Sequence, residues 1–221
     1  MSNALLDIVN AGLEHPIHKW MHYFPLYDRH FSKYRSKTDK IIILEIGVKN
    51  GGSLDLWNKY FGSENCEIYG VDIDLKCKKL EGKNIKIFIG DQEDREFLKT
   101  LVSSIPPIDI LIDDGGHTMI QQINTFEELY QHVKPGGVYL CEDTHTSYWT
   151  NYGGGFRKPN TFMEYTKELM DKLNHHHHRR TPNDHFTQTC VGISVYDSMV
   201  FFEKASAPLE LPRDKVWPGA L

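Results

Sequence analysis

Two short stretches carry the strongest chemical signal in this chain. Ile112-Asp113-Asp114-Gly115-Gly116-His117 brings two carboxylates and an imidazole together, and Cys141-Glu142-Asp143-Thr144-His145 brings two further carboxylates. Each stretch closes an apolar run of strand type, so the four acids are expected to converge at the ends of adjacent strands. Four carboxylates in one crevice repel and do not all stay ionised without a cation. A hard divalent ion with oxygen ligands resolves this, and Mg2+ takes about six oxygens while keeping several positions for water or substrate. Three protein carboxylates leave room for two vicinal hydroxyls of an acceptor, and a hydroxyl held in that way becomes a usable nucleophile. His117 stands three residues after Asp114, placed to accept the proton near neutral pH. Zinc fits less well, because no Cys/His cluster of metal spacing accompanies the acids. Asp is also a preferred helix cap, so one of Asp113 and Asp114 is expected to cap the helix that follows and the other to bind metal.

These residues need elements to position them. Ile41–Gly47 is a short continuous apolar run ending in a glycine turn, which reads as a strand buried on both faces. A helix opens at Gly51-Gly52-Ser53 and runs to Tyr60. Strands follow at 67–74, 85–90 and 108–114, with a helix between the last two over 93–102. Met119, Ile123, Phe126, Tyr130 and Val133 recur at helical period, giving a helix from about Thr118 to Val133 that Lys134-Pro135-Gly136-Gly137 stops. The fifth strand is Val138–Asp143. A helix near Thr161–Leu173 and a hairpin, Thr189–Val195 and Met199–Glu203, close the pattern. Alternation of this kind gives a parallel sheet wrapped by helices, with ligands at the carboxyl ends of its strands.

The strand ends are polar in a consistent way. The first ends Glu45-Ile46-Gly47-Val48-Lys49-Asn50-Gly51-Gly52-Ser53, where glycines and a helix N-terminus allow close approach of a ligand. The dinucleotide fingerprint is absent, because Lys49 stands at its second glycine. The second ends in Asp72, suited to vicinal ribose hydroxyls. The third ends Gly90-Asp91-Gln92, suited to an adenine amino group.

The succession E-x-G-x-x-x-G-G-S, V-D-I-D and G-D-Q resembles the class I S-adenosylmethionine-dependent methyltransferases over residues 40–205. The D-D-G-G-H and E-D stretches are similar to those of the metal-dependent sugar O-methyltransferases of macrolide and rhamnosyl antibiotic pathways. That resemblance implies a Rossmann-like α/β fold with strand order 3-2-1-4-5-7-6 and an antiparallel last strand. It implies Asp114, Glu142 and Asp143 as Mg2+ ligands and His117 as general base. It also implies S-adenosylmethionine held by Glu45, Gly47, Lys49, Gly51, Ser53, Asp72, Asp91, Gln92 and Asp113. The antibiotic enzymes can carry a large extra N-terminal domain where this chain has residues 1–40, so acceptor identity and assembly do not transfer. Two rivals remain on the same scaffold: a cephalosporin-hydroxylase-like enzyme and a non-catalytic nucleotide- or sugar-binding protein.

Composition bounds the rest. The 221 residues carry a formal charge of -5, with 40% hydrophobic and 25% charged residues, as in ordinary globular proteins. One domain is expected, over 41–221, with an N-terminal helical cap over 1–40. Nothing drives a general attraction to nucleic acid or to an anionic membrane. No apolar run reaches the ~18–20 residues of a membrane span, and a signal-peptide pattern is missing. A cytoplasmic enzyme acting on a small-molecule or saccharide hydroxyl is the expectation, with the aromatic-rich first forty residues serving as a lid or a homo-oligomer surface. Cys66, Cys77, Cys141 and Cys190 form no C-x-x-C pair and read as reduced, mostly buried thiols. Tyr148 and Trp149 are either a substrate wall or core. Gly153-Gly154-Gly155 is either a mobile lid or a passive linker. The His175–His178 tract reads as a solvated helix end or loop, and His15, His18, His22 and His30 as packed or surface histidines.

Overall fold

The computed structural model describes residues 3–207 and 209. Seven strands form one sheet: β1 (Ile41–Ile46), β2 (Cys66–Asp72), β3 (Ile85–Ile89), β4 (Ile108–Asp113), β5 (Val133–Glu142), β6 (Cys190–Tyr196) and β7 (Met199–Lys204). The order is β3-β2-β1-β4-β5-β7-β6. β1 to β5 run parallel, and β7 is antiparallel to both β5 and β6. The expected order and the antiparallel last strand are both present. Strand order reverses between β1 and β4, so their carboxyl ends open a crevice.

The helices are α1 (Ala4–Ala11), α2 (Phe24–Phe31), α3 (Gly52–Phe61), α4 (Arg95–Ser104), α5 (Met119–Leu129), α6 (Phe162–Leu173), the four-residue α7 (His175–His178) and α8 (His185–Thr189). Strand alternation divides the core. Ile43, Ile110, Leu140 and Phe201 face one side, against Trp57 of α3 and the N-terminal Phe24, Tyr27 and Phe31. Leu44, Leu111, Tyr139 and Phe202 face the other, against Leu98, Phe126, Leu129 and Phe162 from α4, α5 and α6. The N-terminal segment thus covers one face of the sheet as a packed layer.

Two expectations are corrected. The helix after β4 ends at Leu129 and passes through a 3-10 turn at Tyr130–His132 into β5, which starts at Val133. Between its pairings with Ile108 and Ile110, β5 advances from Val133 to Val138, so Pro135 and the glycines sit in an irregular excursion of the strand. Proline lacks the ladder N–H and is tolerated in such a place. Neither Asp113 nor Asp114 caps α5: Thr118 does, through a capping box with Gln121.

Candidate active site

The acids meet at the crevice, but in two different environments. Asp113, the last residue of β4, is fully buried. It accepts from Gln92 Nε2 at 2.6 Å, and burial pushes its pKa up to about 7. Gln92 is itself committed, donating also to Thr125 and accepting from the Gly116 N–H. Asp114, one residue on, turns into the crevice. Its Oδ1 lies 3.9 Å from His117 Nε2, and Asp143 Oδ2 lies 3.5 Å from the same nitrogen. One ligating atom from each of Asp114, His117 and Asp143 falls within 4.8 Å of the others.

His117 and Asp143 both hold left-handed backbone, with φ of 60° and 51°, as does Lys49 at 51°. Such conformations are uncommon for residues other than glycine and cluster at functional sites. Burial lowers the pKa of His117, although Asp114 and Asp143 pull it upward. The imidazole is therefore a free base at neutral pH, the state that proton abstraction requires.

Glu142 ends β5 fully buried, and its oxygens are occupied. Oε1 accepts from Tyr27 Oη at 2.8 Å and Oε2 from Lys19 Nζ at 2.7 Å. Lys19 also donates to Asp114 Oδ2 at 2.6 Å and stands 4.0 Å from Glu45 Oε1. Burial alone lowers an ammonium pKa, but Asp114, Glu142 and Glu45 outweigh it and hold Lys19 well above the ordinary lysine range. Glu45 is buried at the end of β1 and accepts from Trp57 Nε1 at 2.8 Å. Burial raises its pKa to about 7 against the pull of Lys19. Tyr23 completes the set, its hydroxyl donating to Asp143 Oδ1 at 2.6 Å. Reading the motifs located the acids and His117 but missed Lys19, Tyr23 and Tyr27. Their only local signal was the aromatic density of the first forty residues.

Beside this cluster lies a cavity of about 490 Å3, within the usual range for a small-molecule site. Gly47, Lys49, Ser53, Asp72, Asp91 and Gln92 line it, together with Asp114, His117 and Asp143. Glu45, Gly51, Asp113 and Glu142 do not. Asp72 Oδ2 accepts from the Val48 and Lys49 N–H groups, which fixes a half-buried carboxylate at the cavity wall. The glycines of the first loop serve mainly the protein's own packing. A Cβ at Gly47 would meet the Asp114 carbonyl oxygen at 2.0 Å, and one at Gly52 the Pro16 carbonyl oxygen at 2.4 Å.

Tyr148 and Trp149 are about half exposed, at 50% and 51%, so they are not core. Trp149 lies edge-on to His145 at 4.5 Å, and Trp20 reaches the same imidazole at 5.5 Å. The triple glycine is tied down: the Gly154 N–H donates to the Trp149 carbonyl and the Gly155 N–H to the Ser147 carbonyl. The four cysteines are free and buried. Of the N-terminal histidines, His18 lines the cavity, His15 pairs with Asp55 and His30 is buried.

The hard oxygen donors fit a hard divalent ion. That an ammonium is drawn between Asp114 and Glu142 shows how strongly this cluster calls for positive charge. A sheet of this order, with acids at successive strand ends around a crevice, is the Rossmann-like fold of the class I methyltransferases. No family model matches the sequence. The chain is, however, a homologue of O-methyltransferases of macrolide and tetracenomycin sugar pathways. It is 35% identical over 214 residues to mycinamicin VI 2''-O-methyltransferase of Micromonospora griseorubida, covering 88% of this chain and 52% of that protein. It is 36% identical over 220 residues to demethylmacrocin O-methyltransferase of Streptomyces fradiae, covering 89% of this chain and 54% of that protein. The fold superposes on the MycE methyltransferase of the mycinamycin biosynthetic pathway, solved with Mg, SAH and mycinamycin VI. That match has a TM-score of 0.78 at 35% identity and covers 90% of this chain and 54% of that one. The chain spans about half the length of these relatives.

Proposed function

We propose that this chain is an S-adenosylmethionine-dependent, Mg2+-assisted O-methyltransferase acting on a sugar hydroxyl of a glycosylated small molecule. The observation that carries the reading is the convergence of Asp114, His117 and Asp143 beside a cavity walled by Asp72 and Asp91. Residues 1–40 serve as a cap and 41–221 as the methyltransferase domain, of which 208 and 210–221 lie outside the described residues. Among the described residues no helix is long and apolar enough to cross a membrane. Four free, buried thiols support residence in the reducing cytoplasm.

Asp72 is suited to the ribose hydroxyls and Asp91 to the adenine side, while Gly47, Lys49 and Ser53 surround the methionine moiety. Glu45, Gly51 and Asp113 support this wall from behind, and Gln92 lines it beside Asp91. Asp114, Glu142 and Asp143 would hold Mg2+; Asp114 and Asp143 each turn one oxygen toward His117, whereas both Glu142 oxygens accept hydrogen bonds from Lys19 and Tyr27. S-adenosylmethionine supplies an electrophilic methyl group, and Mg2+ supplies charge that makes an acceptor hydroxyl more acidic. His117 Nε2 takes the hydroxyl proton as oxygen attacks, and its lowered pKa keeps it unprotonated for that step. Lys19 adds a third positive charge to the two of the metal against Glu45, Asp114, Glu142 and Asp143. Tyr148 and Trp149 offer flat, half-exposed rings for a sugar face.

The test is thermal stability with S-adenosylhomocysteine, with and without Mg2+. Each ligand at about 100 times its dissociation constant is expected to add roughly 2.7 kcal/mol. The Mg2+ increment is expected to vanish in Asp114→Ala. His117→Ala is expected to keep the nucleoside increment and lose turnover. No shift with either ligand would overturn the methyltransferase reading, and full activity in His117→Ala would remove its role as base.

A further inference from the structure

Each carboxylate proposed to hold the metal is also bonded to the N-terminal segment, through residues spaced four apart. Lys19 donates to Asp114 Oδ2 and Glu142 Oε2, Tyr23 to Asp143 Oδ1, and Tyr27 to Glu142 Oε1. The bonds have a sidedness. For Asp114 and Asp143 the N-terminal segment takes one oxygen, and the other faces His117, at 3.9 and 3.5 Å. In these two aspartates the oxygen turned toward the shared space is left open for a ligand, while Glu142 has both oxygens bonded to the N-terminal segment.

The two tyrosines are fixed in place. Tyr23 is 1% exposed and Tyr27 fully buried. Their rings meet edge to face at 6.2 Å, and Tyr27 packs against Trp57 at 5.2 Å and Phe31 at 5.9 Å. A ring locked among aromatics presents its hydroxyl at one point only. A buried phenol spent on a carboxylate is costly to keep unless the bond is made, and here two such bonds end on two neighbouring acids.

We propose that Tyr23 and Tyr27 are positioning residues for the metal site, setting the orientation of Asp143 and Glu142. This rests on the metal reading above. Groups that orient metal-bound carboxylates in this manner change metal affinity about 10–100-fold when removed.

The experiment titrates Mn2+, which shares the oxygen preference of Mg2+, into the full chain and follows free Mn2+ by electron paramagnetic resonance. Tyr23→Phe and Tyr27→Phe keep the packed rings and delete only the hydroxyls. Each is expected to weaken Mn2+ binding roughly tenfold or more, with affinity for S-adenosylhomocysteine unchanged. Tyr34→Phe is the control: Tyr34 is equally buried in the same segment, but its hydroxyl donates to the Gly136 carbonyl, away from the site. It is expected to bind Mn2+ like the unaltered chain. Unaltered Mn2+ affinity in both Tyr23→Phe and Tyr27→Phe, or equal weakening in Tyr34→Phe, overturns the assignment. Absence of Mn2+ binding by the unaltered chain overturns the metal reading itself, and the assignment with it.

Discussion

His30 illustrates how a single buried side chain sets a pH response. Its ring stacks on Phe201 at 3.9 Å, with Nδ1 3.3 Å from Glu203 Oε1 and Nε2 3.1 Å from Tyr196 Oη. Burial lowers its pKa; Glu203 opposes this, while Arg29 and Lys33 add to it. Above about pH 6.5 the ring is neutral in the folded and the unfolded chain, and it contributes no pH dependence. Below that pH the unfolded chain takes up a proton that the folded chain resists, so stability falls as pH drops toward the folded pKa. Chemical denaturation at pH 7 and pH 5 is expected to show a smaller loss in His30→Gln than in the unaltered chain. An identical loss would dismiss His30 as the source. The same burial explains which site residues could be read from sequence. Asp114, His117 and Asp143 follow apolar strands directly, so their position is a local property. Lys19, Tyr23 and Tyr27 act on partners 95 to 123 positions away. Nothing in their neighbourhood encodes those partners, and only the packing of the N-terminal segment on α3 and the sheet brings them in.

At the scale of elements, strands such as β1, β5 and β7 are legible because the continuous apolar runs Ile41–Leu44, Val138–Cys141 and Met199–Phe202 leave little alternative in a sheet covered on both faces. The start of β5 is not, because Pro135 and two glycines look like a stop signal, whereas the backbone here bends within the strand. The glycine loop after β1 shows the same limit. Its sequence suggests room for a ligand, yet Gly52 serves close packing of the N-terminal segment. A Cβ there would lie 2.4 Å from the Pro16 carbonyl oxygen and 2.7 Å from Ile17 Cα, both backbone atoms that cannot rotate away. Gly52→Ala is therefore expected to cost about 1–3 kcal/mol as overpacking, read as a Tm lower by several degrees. Gly82→Ala is the matched control, since nothing lies within 4 Å of its added Cβ. It is expected to stay within about 0.5 kcal/mol. Equal stability of the two variants would show that the Pro16–Ile17 segment yields freely and is not packed on α3.

For the molecule as a whole, the question is whether the first forty residues are a detachable cap or part of the fold. In doubly wound sheets each face is covered by the helices that connect the strands. Here α4, α5 and α6 cover one face, while among the described residues the connections between strands give the other face α3, beside β1, and the 3-10 turn at Leu75–Leu80. The β4–β5–β7 half of that face is covered by the N-terminal segment instead. Phe31 packs on Phe201 at 6.1 Å and on Trp57 at 5.7 Å, and Tyr27 on Trp57 at 5.2 Å. Removing residues 1–36 would uncover Trp57, Ile43, Leu140 and Phe201, all buried in the full chain. It would also leave the Glu142 and Asp143 carboxylates without Tyr27 and Tyr23. An apolar patch of that kind promotes association, and the buried Glu142 carboxylate stripped of a donor opposes folding. The full chain is expected to unfold in one cooperative transition followed by circular dichroism. The shortened chain is expected to lose that transition and to aggregate. A shortened chain that still unfolds cooperatively and binds S-adenosylhomocysteine would establish the segment as a separable cap. In that case the packing of α2 against the sheet would serve the acid cluster alone, and only the metal titration would register its removal.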